Sequence, residues 1–200
     1  MKANKTHIQR LVATAILAAI VVVLQTFVVI PLGPFTVTLT LVPIMIGAIL
    51  LGPACGAFLG GVFGVTVAIQ VVTGAAGPFS FMMFEQLPII TIVICLVKGI
   101  VAGLVTGLIH KLLSQKGRNK LGVILSAISC PICNTGIFVV GLLVFYQELV
   151  TKTAAEGGFA TVVAFVLISM IGLNFLVEFA LNVLLIPVVL RVISAIRSKF

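Results

Sequence analysis

The segment "TLTLVPIMIGAILLGPACGAFLGGVFG" (38–64) is apolar nearly throughout and is broken once, at Gly52 and Pro53. The apolar character around it runs from about Phe35 to Val72, too long for one membrane span and too short for two generous ones. Pro53 can start a helix but not continue one, because it lacks an N–H and its ring clashes with the turn before it. A tight hairpin is therefore expected in "LGPACG" (51–56), with short spans at 36–51 and 54–72 on either side. Gly52, Gly56, Gly60 and Gly64 also recur every fourth residue, and Gly99, Gly103 and Gly107 repeat the pattern farther on. In lipid, packing rather than hydrophobicity drives helix association, and such stripes let backbones approach closely. The expectation is a compact helical bundle.

Composition makes that bundle a membrane protein. The 200 residues are 62% hydrophobic and only 8% charged, with a mean hydropathy of +1.40. A soluble domain devotes about a quarter of its residues to charge, so too little polar surface exists here to cover a globule in water. The net charge of +8 does not indicate nucleic acid. The basic residues flank apolar runs and form no stripe of their own, as cytoplasmic anchors of membrane spans do. The four cysteines, Cys55, Cys95, Cys130 and Cys133, lie in apolar segments. "CPIC" (130–133) has no second pair and no nearby His, so small thiols packed between helices are expected, with no metal and no cofactor. His7 and His110 stand at span ends, where a solvated or headgroup role fits.

The first apolar run, 9–30, is long enough to cross a hydrocarbon core of ~30 Å and ends at "VVIPLGP" without a small-residue cleavage site, so it reads as an uncleaved span. Further spans are expected at 89–109 and 121–145. "TGAAGPFSFMMFEQLP" (73–88) reads as an ordered outer loop, and "YQELVTKTAAEGG" (146–158) as a second polar connection. The last apolar run, Phe159 to Leu190, exceeds one span. Two spans there would separate Arg191, Arg197 and Lys199 from Lys2, Lys5 and Arg10, against the positive-inside rule. The last span is accordingly placed at 171–190, with 159–170 as an interfacial or outer extension and Gly172 permitting a bend. The fold class expected is all-α: a six-transmembrane-helix bundle forming one domain, with both termini cytoplasmic.

Polar residues inside the spans fall at one level. Glu178 and Lys98 each precede a basic anchor (Arg191, Lys111) by thirteen residues, about 20 Å at 1.5 Å per residue. Asn134 follows Lys120 by fourteen residues and Gln25 follows Arg10 by fifteen, giving about 21–22 Å. In "NFLVEFALN" (174–182), Asn174, Glu178 and Asn182 form a ladder on one helix face. A charge in hydrocarbon costs at least roughly 2.5–3.5 kcal/mol, so that face must point inward. Two readings follow. Lys98 and Glu178 form a structural ion pair, or the layer is the floor of a pocket open to the outside and roofed by 73–88 and 146–158. Intramembrane ionisable residues favour the second, which makes Lys98, Asn134, Asn174, Glu178, Asn182 and Gln25 the candidate binding residues.

Catalytic signatures are absent. There is no G-x-x-x-x-G-K-[ST], G-x-S-x-G or H-E-x-x-H, and one buried glutamate with one lysine is a poor basis for an enzyme. No inverted repeat of the kind secondary transporters use is evident. The chain reads as a binding subunit that takes its energy from elsewhere.

Over nearly its whole length the sequence resembles the substrate-binding (S) components of energy-coupling factor (ECF) vitamin transporters. The resemblance rests on Ala15 and Ala19 in the first span, on 38–64, on "LVKGIVAGL" (96–104) and on "NTGIFVVGLLVFY" (134–146). It implies six helices, a vitamin bound near the outer surface, and docking on a transmembrane coupling protein driven by two ABC ATPases in a prokaryotic plasma membrane. It also implies that Ala15 and Ala19, matching an A-x-x-x-A motif, contact the coupling protein. Residues 38–64 and 134–146 most resemble the pantothenate-type subfamily. Two features depart from it: the chain has no Trp, and Glu178 would repel a carboxylate unless Lys98 or a proton neutralised it. Riboflavin and cobalamin stay open. The rival functions are an autonomous ion-coupled transporter or channel using Lys98 and Glu178, and a structural subunit whose buried charges only set helix register.

Overall fold

The computed structural model of the chain describes residues 2–32, 35–168 and 175–197. In chain order it comprises α1 (Lys2–Phe27), strands β1 (Val29–Leu32) and β2 (Phe35–Thr38), α2 (Leu41–Leu51), α3 (Pro53–Val72), α4 (Pro78–Gln86), α5 (Pro88–Gln115), α6 (Asn119–Phe145), α7 (Gln147–Glu156), α8 (Val162–Phe165), α9 (Leu176–Leu184) and α10 (Ile186–Arg197). The protein is an all-α membrane protein. Ile8–Phe27, Pro53–Val72, Pro88–Gln115 and Lys120–Phe145 are each long and apolar enough to cross a bilayer.

Prolines set the helix starts. Pro53, Pro78 and Pro88 each occupy the first position of their helix, where the missing N–H has no intrahelical partner to lose. Gly52, at φ 102°, turns the chain between α2 and α3 in a conformation that other residues rarely adopt.

The expected second span, 36–51, needs correction. Val29–Leu32 and Phe35–Thr38 pair as antiparallel strands, with Val29 opposite Thr38 and Leu32 opposite Phe35. The helix begins only at Leu41, and its 11 residues rise about 16–17 Å. The physical reason is local. "VIPL" and "FTVT" are rich in β-branched and aromatic residues, and Pro31 and Pro34 each remove a helix donor. The first helix likewise stops at Phe27 rather than 30. The connection 73–88 is not all loop but carries α4, and 146–158 carries α7. The last run is divided at Leu185 into α9 and α10. Pro187 cannot donate to the carbonyl of Val183, which ends the first of these helices.

The glycine stripes meet each other. A Cβ built on Gly60 would overlap the carbonyl of Gly99, and one on Gly56 the carbonyl of Gly103. On Gly107 it would come within 2.5 Å of Pro53 Cα. Thus α3 and α5 pack backbone to backbone along their length, and α5 then packs on α6. A Cβ built on Gly61, one residue from Gly60, would meet Ile100 Cγ1 at an ordinary 3.6 Å. Gly60→Ala should therefore lower the melting temperature in detergent, by an overpacking penalty of about 1–3 kcal/mol. Gly61→Ala should be neutral or stabilising, since alanine is the better helix former. Equal melting of the two variants would exclude the close α3–α5 contact as a source of stability.

Three apolar clusters lie along the bundle. Val21, Leu41, Ile44, Leu59, Phe63 and Val67 pack its centre from α1, α2 and α3. Met45, Ile49, Val123 and Val189 pack the end near the basic 111–120 connection. Phe79, Met83, Leu142, Tyr146, Val150 and Phe165 pack the opposite end, where α4, α7 and α8 cap the long helices. The cysteines are free thiols; Cys130 is wholly buried, with its Sγ 4.0 Å from the carbonyl of Leu41.

Candidate ligand-binding site

Between the central cluster and the α4 cap lies a cavity with walls from α1, α3, α4, α5, α6 and α9. It admits the centres of water-sized molecules over about 80 Å³, room for several waters at ~10–15 Å³ each. A larger groove of about 930 Å³ opens outward between α1, α3 and α5, but no charged side chain lines it. The chemistry is in the smaller cavity.

Lys98, Asn134, Glu178 and Gln25 all line that cavity. They reach it from four elements, α5, α6, α9 and α1, and Thr91 and Thr135 add hydroxyls from α5 and α6. Lys98 extends from α5 across the faces of two rings, 5.7 Å from the centroid of Phe63 and 4.9 Å from that of Phe138. Such cation–π contacts hold an ammonium at about 0.5–2 kcal/mol each while leaving its N–H donors open. Among the described residues no carboxylate lies within 4.0 Å of the Lys98 ammonium; the ion pair found there is Lys152–Glu156, on exposed α7.

Two acceptors that line the same cavity are unfilled. Glu178 and Asn134 are each only 7% exposed, yet Glu178 Oε2 and Asn134 Oδ1 have no hydrogen-bond partner. An unsatisfied buried polar atom costs about 1–3 kcal/mol, more for a charged one. Native cores seldom retain such atoms without a reason.

Gln25 is placed differently. Its Nε2 donates to Gln70 Oε1 at 2.8 Å, Gln70 Nε2 donates back to the Gln25 carbonyl at 2.8 Å, and Thr40 Oγ1 donates to Gln25 Oε1 at 2.9 Å. It is a strut that ties α1 to α3 and to the start of α2, and it forms wall more than floor. Asn182 is not brought to the cavity: it is buried one turn away, and its Nδ2 donates to the carbonyl of Glu178 at 2.8 Å. Asn174 lies outside the described residues.

Several contributors were not singled out in the sequence. Phe63 and Phe138 hold the lysine, but a Phe in an apolar run carries no mark that separates a cavity wall from a lipid-facing surface. Gln70 did carry a signal, as an amide in the last turn of an apolar run, like Gln25 in the first. Tyr146, the one tyrosine, is fully buried beside the roof. Its hydroxyl lies 2.6 Å from Thr91 Oγ1 and donates to the Leu87 carbonyl at 3.1 Å, while Thr91 also reaches the Met83 carbonyl at 3.0 Å. This knot fastens the α4–α5 elbow to the end of α6, and α4 roofs the cavity through Ser80 and Met83.

Ala15 and Ala19 stand away from the site. Both are exposed on α1, whereas Leu17, Ala18 and Val21 on the other side of that helix pack into the bundle. No group of His, Cys, Asp and Glu among the described residues could hold a metal ion.

The family model described as "ECF transporter, substrate-specific component" matches residues 9–190. No individual curated protein matches the chain.

Proposed function

The chain belongs to the family of ECF transporter substrate-specific components, and from that premise we propose that it captures a vitamin or similar micronutrient from outside the cell. The substrate is held in the cavity under α4. The observation that carries this reading is the coincidence in one cavity of Lys98, held by aromatic faces, with Glu178 and Asn134, whose buried acceptor atoms have no partner. Burying such groups unfilled is costly, and a ligand that completes their hydrogen bonds recovers that cost on binding. Pantothenate is the vitamin to which the sequence resemblance points, with riboflavin and cobalamin as the others.

The energy comes from outside the subunit. A transmembrane coupling protein and two ABC ATPases would drive release to the cytoplasm, with Ala15 and Ala19 on α1 as the docking face. The topology that goes with this has six spans and both termini cytoplasmic. It places the basic 111–120 connection inside and α4 and α7 outside, in the plasma membrane of a prokaryote.

Uptake measured in cells expressing the chain with and without the coupling module tests the proposal. Accumulation should require both ATPases and stop when their ATP-binding sites are disabled. Accumulation by the chain alone would instead establish an autonomous transporter working through Lys98 and Glu178.

A further inference from the structure

The cavity presents two opposite demands. Lys98 offers an ammonium whose neighbours are the Phe63 and Phe138 rings, so its donors want an anion or strong acceptor. Glu178 Oε2 and Asn134 Oδ1 are acceptors without donors, each on a side chain more than nine-tenths buried. They cannot satisfy one another through the lysine, because among the described residues Lys98 has no carboxylate within 4.0 Å. Gln25 gives an amide N–H to Gln70 Oε1, and neither Glu178 Oε2 nor Asn134 Oδ1 has a hydrogen-bond partner within the protein.

From this we infer that the site selects small bipolar acids: an anionic group set on Lys98 and hydroxyl or ammonium donors set on Glu178 and Asn134. The inference rests on the reading of the cavity as the substrate site and narrows it. A purely cationic ligand would meet Lys98 with like charge. A purely anionic one would meet Glu178 in the same way, and an apolar one would leave all three groups unfilled. The site calls for both functions on one small molecule, because Lys98, Asn134 and Glu178 line one cavity. Among the candidate vitamins, pantothenate has this form, a carboxylate at one end and hydroxyls at the other. Riboflavin has no anionic group to set on Lys98.

The test is equilibrium dialysis of the purified full chain against a defined equimolar mixture of the water-soluble vitamins and the proteinogenic amino acids, read by mass spectrometry. The expected result is retention of one or more compounds carrying both an acid and hydroxyl or ammonium donors. Retention should fall at least tenfold in Lys98→Met and in Glu178→Leu, each with a wild-type melting curve. If either leucine or methionine variant melts early, the wild-type chain decides the matter by competition. The retained compound should then be displaced at least tenfold less well by an analogue whose acid is reduced to the alcohol. Retention of riboflavin or another compound without an acid would overturn the bipolar assignment and leave the transport reading standing. Retention unaffected by loss of the acid would do the same. Retention of nothing from the mixture would overturn both.

Discussion

The Lys98→Met/Glu178→Leu double variant is expected to be expressed and monodisperse, yet to lose at least tenfold in affinity for the small molecule the wild-type chain retains, about 1.4 kcal/mol. Folding should survive because the two charges are not in contact: no ion pair within 4.0 Å joins them, so no pair is broken. Removing both also takes two charges out of hydrocarbon, and replacing buried charged groups together by apolar ones is often neutral or stabilising. Binding should fail because both side chains line the cavity and the ligand's polar groups would lose their partners. Asn134→Ala should weaken binding with little effect on stability, since its Oδ1 has no partner to lose. Asn182→Ala should matter less to binding, because that side chain does not line the cavity and its described bond is to the carbonyl of Glu178. Calorimetric affinity and thermal melting on the same samples provide the check. If the double variant bound like its parent, the cavity would not be the substrate site, and Glu178 would be left with a role in helix register alone.

What was legible in the sequence depended on whether the responsible force acts at fixed spacing. Gly56, Gly60, Gly99 and Gly103 were readable because close backbone approach in lipid demands a small residue on every fourth position, and nothing else on those helices does. Lys98, Asn134, Glu178 and Gln25 were readable as one level because helical rise converts residue number into depth. Their convergence on one cavity was not, because rise carries no information about which way a helix is rotated. The pairing of Val29–Leu32 with Phe35–Thr38 was hidden for a related reason. Its apolar residues satisfy the hydropathy of a span as well as that of a strand, and only Pro31, Pro34 and the β-branched neighbours argue for the strand. Tyr146 escaped because its partners, Thr91 and the carbonyl of Leu87, lie more than fifty residues away in the chain.

The second large effect should appear at a distance from the cavity. Ala15→Trp or Ala19→Trp should reduce ATP-driven uptake to background while the isolated subunit binds within about twofold of wild type, a change under ~0.5 kcal/mol. Both alanines are exposed, and the side of α1 that packs inward is formed by Leu17, Ala18 and Val21. Within Ile8–Phe27 only 11% of the helix is buried inside the molecule, so a bulky side chain at 15 or 19 projects into lipid and disturbs little of the subunit itself. A partner helix seated on the two alanines would be wedged away, because small residues bring backbones together in lipid and an indole prevents it. Ala18→Trp supplies the contrast. That residue packs against the central cluster, so the same substitution one position earlier than Ala19 should destabilise the subunit by about 1–3 kcal/mol and impair binding as well. Uptake, binding and melting measured on the three variants separate an external face from an internal one. Should Ala15→Trp and Ala19→Trp lose binding together with uptake, the two alanines pack inside the bundle and the coupling protein docks elsewhere.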